Sequence, residues 1–169
     1  MNPYLNPADT DALLGLVKSV RPRVMIEFGC NYGRTAAVLL KQVPTLETYI
    51  GIDVPFAHRP ALGCQQSEVP LYPGEHAAND PRFSVLLRDS RTLTKADLEP
   101  CDAVFIDGDH SEAAVLHDSR LARELVRPGG IIVWHDVGNR AVEVDRALDQ
   151  LAWPITPVAN TWIAFWRAD

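Results

Sequence analysis

The sequence predicts an α/β fold: a doubly wound, mostly parallel sheet that ends in a C-terminal antiparallel hairpin. Three observations predict it. Short, nearly continuous apolar runs alternate with helical segments, the pattern of a parallel sheet covered on both faces. A two-glycine turn follows the first of these runs and leads into a helix. At the C-terminal end the alternation stops, and two extended segments lie too close together for a crossover helix between them.

The first helix starts at Asn6, which can cap it, with Pro7 in its first turn and Asp9 complementing the helix dipole. Leu13, Leu16, Val17 and Val20 then fall on one apolar face, and Arg21-Pro22 stops the helix. Arg23–Phe28 is the first strand, Arg34–Lys41 a helix ended by Val43-Pro44, and Thr48–Val54 the second strand. Phe83–Leu87, Asp102–Asp107 and Gly130–Asp136 are the third to fifth strands, with a short link over Ser90–Cys101. Helices fit Ser111–Val126, stopped by Arg127-Pro128-Gly129-Gly130, and Asn139–Leu151. Pro154–Ala159 and Thr161–Ala168 complete the hairpin around Asn160. Right-handed crossovers make the parallel part doubly wound. The segment 55–81, with Pro55, Pro60, Pro70, Pro73, Pro81, Gly63 and Gly74, reads as an irregular insertion of the kind that serves function or moves.

Composition bounds the rest. A chain of 169 residues with 47% hydrophobic and 22% charged residues suits a single globular domain over 1–169. No apolar run is long enough to span a bilayer, and the N-terminal residues lack a signal-peptide layout, so a cytoplasmic location is expected. The net charge of −6 argues against nucleic-acid and anionic-membrane partners. Cys30, Cys64 and Cys101 are an odd set with no CxxC pairing, which disfavours a disulfide framework or structural zinc.

Ligands of open α/β sheets bind beyond the carboxyl ends of the strands. Each predicted parallel strand delivers an acid there: Glu27, Asp53, Asp89, Asp107 and Asp136. Any one of them taken alone fits a cap or turn residue. Together they favour a ligand that is cationic, hydroxyl-rich or metallic. The loop Gly29-Cys30-Asn31-Tyr32-Gly33 permits a tight turn and a close helix approach. Glu27 beside it would repel a pyrophosphate and favour an ammonium or sulfonium. Asp53 is placed for a ribose diol, and Asp89-Ser90 for an adenine amino group.

Several segments, in order, carry a family likeness. These are Glu27-x-Gly29-x-x-x-Gly33, Tyr49–Asp53, Arg88-Asp89-Ser90, Val104–His110 with its D-G-D-H, and Leu125–Gly130 with its P-G-G. Over about Arg23 to Ala168 the chain resembles class I S-adenosylmethionine-dependent methyltransferases, most closely a small bacterial group with a D-G-D-H-S segment. The resemblance implies a Rossmann-like sheet of about seven strands with a reversed last strand. It also implies a cofactor site lined by Glu27, Gly29, Gly33, Asp53 and Asp89, to which position adds Cys30, Asn31, Ser90 and Asp107. Asn31 stands where the family has a middle glycine, and the 55–81 insertion exceeds the usual link.

The expected activity is methyl transfer to a small-molecule acceptor, at oxygen. Asp107, Asp109 and His110 are the catalytic candidates, with His110 as general base because an imidazole titrates near neutrality. Asp109 or His110 as a cap of the following helix is the competing reading. Asp107 and Asp136, with His135 or Asn139 nearby, are candidate ligands for Mg²⁺ or another divalent cation. His58 and His76 fall in the insertion, His117 reads as a surface residue, and Trp134, Trp153, Trp162 and Trp166 as packing. Edge strands and the aromatic tail are compatible with a homodimer. The alternatives are an NAD-dependent oxidoreductase on a similar sheet, which Glu27 and the missing third glycine oppose, and a non-catalytic cofactor-binding or interaction subunit.

Overall fold

A computed structural model describes residues 6–57 and 69–169. His58, Gly63 and Cys64 therefore lie outside the described residues. Helix α1 (Pro7–Val20) is capped by Asn6, whose side chain accepts from the Asp9 amide, and it ends at Arg21 in the left-handed region (φ 49°) ahead of Pro22. Strand β1 (Val24–Phe28) follows, then α2 (Arg34–Gln42), β2 (Thr48–Asp53) and β3 (Phe83–Leu87). Two 3₁₀ turns, Ser90–Thr92 and Lys95–Asp97, lead to β4 (Cys101–Ile106), α3 (Glu112–Leu125) and β5 (Val126–Trp134). Helix α4 (Val144–Leu151), β6 (Thr156–Pro157) and β7 (Ala164–Arg167) complete the described chain.

The strands form a seven-stranded sheet in the order β3-β2-β1-β4-β5-β7-β6. Strands β1 to β5 pair in parallel, β7 runs antiparallel to β5, and β6 antiparallel to β7. The chain returns to the sheet's middle after β3, so β1 and β4 lie side by side. That switch point opens a crevice above the carboxyl ends of the two strands. Two apolar layers flank the sheet. Leu13, Val17, Leu39 and Leu40 of α1 and α2 pack under Met25, Tyr49 and Phe105. Val115, Leu121, Leu125, Leu148 and Leu151 of α3 and α4 pack on Ile26, Val104, Ile132 and Trp134.

Three boundaries differ from the sequence expectation, each for a local reason. Strand β5 begins at Val126, not Gly130, because the Pro-Gly-Gly segment forms a bulge that is held from the other side: the Gly129 amide donates to the Ala168 carbonyl, and Ala168 to Gly130. Helix α4 begins at Val144, not Asn139. The Asn139 side chain instead accepts from the Ala141 amide and donates to Asp136, a turn that competes with helix. The tail strands are shorter than read, though the turn between them does hold Asn160 at φ 61°. Within the insertion, the described part (69–81) packs back on the glycine loop, with the Gly74 amide donating to the Asn31 carbonyl and His76 to Tyr32.

Candidate active site

A cavity of about 230 Å³ opens at the carboxyl ends of β1 to β5. One wall is the loop after β1. Gly29 has φ +84°, and a side chain there would place its first carbon 2.2 Å from the Asp107 carbonyl oxygen. The β1 and β4 loops therefore touch through bare backbone, and the Asp107 amide donates to the Phe28 carbonyl below. Gly33 (φ +76°) meets Gly74 in the same way, at 2.8 Å. Both glycines are thus required by close approach and by left-handed backbone.

Asp53 organises this loop. Its Oδ2 accepts from the Asn31 amide at 2.6 Å and its Oδ1 from the Val54 amide at 2.7 Å. Burial raises its pKa, and the two amides oppose that rise. Each carboxylate oxygen keeps a second lone pair for a ligand hydroxyl. Asn31, at φ 45°, adopts the left-handed conformation without being glycine. Glu27 is 1% exposed and does not line the cavity. It lies beneath the loop, accepting from the Tyr49 hydroxyl at 2.9 Å, and burial pushes its carboxyl up to about 8. Cys30 does line the cavity, but burial, followed by the nearby Glu27 and Asp53, raises its thiol pKa well above the ordinary value. That leaves it a thiol, with no nucleophilic role.

The opposite wall is built from the turn after β3. Asp89 caps the 3₁₀ turn and accepts from the Arg91 amide and guanidinium, at 2.9 Å for Nη2 to Oδ2. His117 is not a surface residue. Its Nε2 lies 3.0 Å from the Ser90 carbonyl, to which it donates, tying the turn to α3. Beside it Asp118, only 1% exposed, lines the cavity.

Beyond the ends of β4 and β5 the rim carries a cluster of acids and imidazoles. His110 Nε2 is 3.4 Å from Asp107 Oδ1 and 3.0 Å from Asp136 Oδ2. His135 Nδ1 is 3.0 Å from Asp107 Oδ1, and its Nε2 is 3.3 Å from Asp9 Oδ2. Burial disfavours charge on both imidazoles, yet the hydrogen bonds and charges of Asp107 and Asp136 outweigh it and push both up to about 10. Asp107 and Asp136 are held below the ordinary carboxylate value; burial opposes this, and the bonds from His110 and His135 prevail. The cluster therefore favours protonated imidazoles beside ionised carboxylates.

The structure brings together Gly29, Cys30, Asn31, Asp53, Asp89, Ser90, Asp107, Asp109, His110 and Asp136 around one cavity. Asp109 also accepts from the Ser111 amide at 2.9 Å and so shapes the start of α3. Asp107, His110 and Asp136 each offer a ligand atom, all within 4.8 Å of one another. Two carboxylates and an imidazole fit a divalent cation, and the nitrogen donor suits a transition metal at least as well as Mg²⁺. Asp9 and Asp118 went unread in the sequence. Asp9 passed for a dipole residue, whereas Asp118 left a signal: it is an acid on the apolar stripe of Ala114, Val115, Leu121, Ala122 and Leu125.

This strand order, with a glycine turn after β1 and acids along the rim, defines the class I methyltransferase architecture. The sequence profile of the methyltransferase domain family matches residues 26–137, and the chain belongs to that S-adenosylmethionine-dependent family. Family membership supports the S-adenosylmethionine-dependent reading over the NAD-dependent one. No curated protein sequence matches the chain. Among solved structures it is similar in fold to an O-methyltransferase from Klebsiella pneumoniae (17% identity, TM-score 0.70, covering 100% of this chain and 84% of the other). It is similar also to one from Bacillus cereus in complex with SAH (19%, 0.65, covering 95% and 80%). A third is TomG of Streptomyces achromogenes, in complex with SAM (16%, 0.64, covering 99% and 83%). No helix among the described residues is long and apolar enough to cross a membrane.

Proposed function

We propose that the protein transfers the methyl group of S-adenosylmethionine to an oxygen of a small-molecule acceptor at this cavity. The observation that carries the reading is the convergence of Asp107, His110 and Asp136 at the cavity wall, beside the glycine loop. The cofactor would lie over Gly29–Gly33, with its ribose diol on Asp53 and its base beside Asp89 and Ser90. The O-methyltransferases of similar fold support oxygen as the acceptor atom.

The reaction is an in-line displacement, so holding acceptor and methyl carbon in line supplies much of the rate. An acceptor oxygen lone pair forms the new C–O bond as the C–S pair returns to sulfur, and the hydroxyl proton leaves to a base. Asp107 and Asp136 would hold a divalent cation, with His110 Nε2 outside the ligand set, and when bound that ion supplies acidification of a hydroxyl. His110 in its neutral form takes the proton at Nε2. It reaches that form when the two carboxylates that raise its pKa are drawn elsewhere. Asp109 keeps the loop carrying His110 in register with α3.

Calorimetric titration with S-adenosylmethionine and S-adenosylhomocysteine tests the reading, with and without Mg²⁺ and Mn²⁺. It is followed by transfer of a labelled methyl group to hydroxyl, amine and thiol acceptors. Binding of both sulfur compounds with label on oxygen is expected. Binding without transfer to any acceptor would favour a non-catalytic subunit, and transfer to nitrogen alone would refute the oxygen assignment.

A further inference from the structure

The cavity contains one polar atom with no evident use. Asp118 Oδ1 is buried without a hydrogen-bond partner among the described residues. Asp118 is 1% exposed, yet its side chain lines the cavity beside Ser90, whose hydroxyl bonds its carboxyl group. A buried acceptor without a donor carries an uncompensated desolvation cost. Such an atom, on a residue that lines a ligand cavity, is a candidate acceptor for a donor that arrives with the ligand. Ala114, one turn earlier on the same face of α3, also lines the cavity, and its small side chain leaves room for a flat ring. Asp89, the acid that family likeness would assign to the base, already receives the Arg91 amide and guanidinium on its two oxygens.

We infer that Asp118 reads the adenine of the cofactor, its Oδ1 accepting a hydrogen bond from the 6-amino group of a purine lodged between Ser90 and Ala114. This rests on the placement of S-adenosylmethionine proposed above. It makes Asp118 a specificity residue: a 6-oxo purine presents an acceptor at that point, and two acceptors face each other. Burial first, then the charges of Asp109 and Asp89, pushes the free carboxyl up to about 7, against the Ser90 hydrogen bond and the Arg91 charge. The groups facing it are thus Asp89, Ser90 and Arg91 from the turn after β3 and Asp109 from the loop after β4, with His117 as its neighbour on α3. An amino donor favours the ionised carboxylate, so binding releases a proton. Affinity then rises with pH up to about 7 and levels off above it.

The test is calorimetry with S-adenosylhomocysteine and S-inosylhomocysteine, in which the 6-amino group is replaced by oxygen, on the wild type, Asp118→Ala, Asp118→Asn and Asp53→Ala between pH 6 and 8. The wild type should prefer the adenosine form by about 10–100-fold, the size of a hydrogen bond to a charged group. Asp118→Ala should reduce that preference to less than about threefold and flatten the pH dependence. Asp118→Asn, which cannot ionise and can turn its NH2 toward a 6-oxo group, should lose or reverse the preference with no pH dependence, and it decides the matter if the alanine variant fails to fold. An unchanged preference in Asp118→Ala, or no preference in the wild type, overturns the inference. Asp53→Ala separates the two readings. If it weakens both nucleosides alike while the Asp118 variants behave as wild type, the cofactor placement stands and the adenine assignment falls. If it weakens neither, the placement itself has failed, and the inference with it.

Discussion

Replacing Asp9 by alanine should destabilise the protein more than its place in the first turn of a terminal helix suggests. Asp9 is fully buried, and its Oδ1 accepts from the Trp162 amide at 2.8 Å, while Oδ2 takes His135 Nε2 at 3.3 Å and the Asn6 side-chain amide. The substitution leaves a buried imidazolium and a buried backbone N–H short of an acceptor. Removing one partner of a buried ion pair costs about 3–5 kcal/mol. His135 keeps Asp107 and Asp136, which places the loss near the lower figure, about 3 kcal/mol, or a Tm lower by about 6–12 °C for a chain of this size. His135 is pushed up to about 10 in the fold against 6.5 as a model value. The folded protein therefore holds a proton that the unfolded chain releases above 6.5, and the stability gained is complete below pH 6.5 and lost as pH rises through about 10. Asp107 and Asp136, which raise the His135 pKa, remain in the variant. Urea unfolding in chelator, followed by far-UV circular dichroism at pH 6 and pH 10, should therefore show both proteins losing this contribution as pH rises, with a wild-type advantage of about 3 kcal/mol at pH 6. An advantage below about 0.5 kcal/mol at pH 6 would refute the argument.

Gly29→Ala should lose more than about 2 kcal/mol of stability, since the left-handed backbone alone costs about 1–2 and the added carbon strikes the Asp107 carbonyl oxygen. Calorimetry on whatever folded fraction remains should show no binding of S-adenosylhomocysteine. Mn²⁺ at about a hundred times its Kd should raise the Tm by about 5–10 °C, the effect of about 2.7 kcal/mol of linkage. Asp136→Asn should abolish that rise, while a rise that survives it would place the ion elsewhere.

The sheet was largely legible because its strands are apolar on both faces and its helices carry clear stops at Pro22, Pro44 and Pro128. The rim was legible for the same reason: a strand's last residue is fixed once the strand is, so Asp53, Asp107 and Asp136 could be placed without any contact being known. The state of those acids could not be read. His110 looks like a base because free imidazole titrates near neutrality, but Asp107 and Asp136, both within 3.4 Å, raise its pKa and favour the protonated form. Asp9 is separated in sequence from its partners His135 and Trp162, and only the packing of α1 against β5 brings them together. The Asn139 turn escaped the helix reading because its bond to Asp136 is a side-chain contact that apolar periodicity does not record.

Glu27 contributes less to the electrostatic case for a sulfonium ligand than its place in the sequence suggests. A full negative charge close to the sulfur would hold the substrate cofactor tightly but lose that attraction as the methyl group leaves, because the product sulfide is neutral. Interactions stronger in the ground state than in the transition state raise affinity without raising the rate. With its carboxyl at about 8, Glu27 is mostly uncharged at neutral pH, held by the Tyr49 hydroxyl in a buried pocket under the glycine loop. On the proposed cofactor placement, the ratio of affinities for S-adenosylmethionine and S-adenosylhomocysteine should therefore increase as pH rises through about 8, while kcat at saturating cofactor does not increase with it. Glu27→Gln, neutral at every pH and still able to accept from Tyr49, should hold the ratio flat. Calorimetric titrations of both compounds between pH 6.5 and 9 measure it. A ratio that climbs equally in Glu27→Gln would assign the effect to Asp53 or Asp107, the other acids that face the loop, and remove Glu27 from the account.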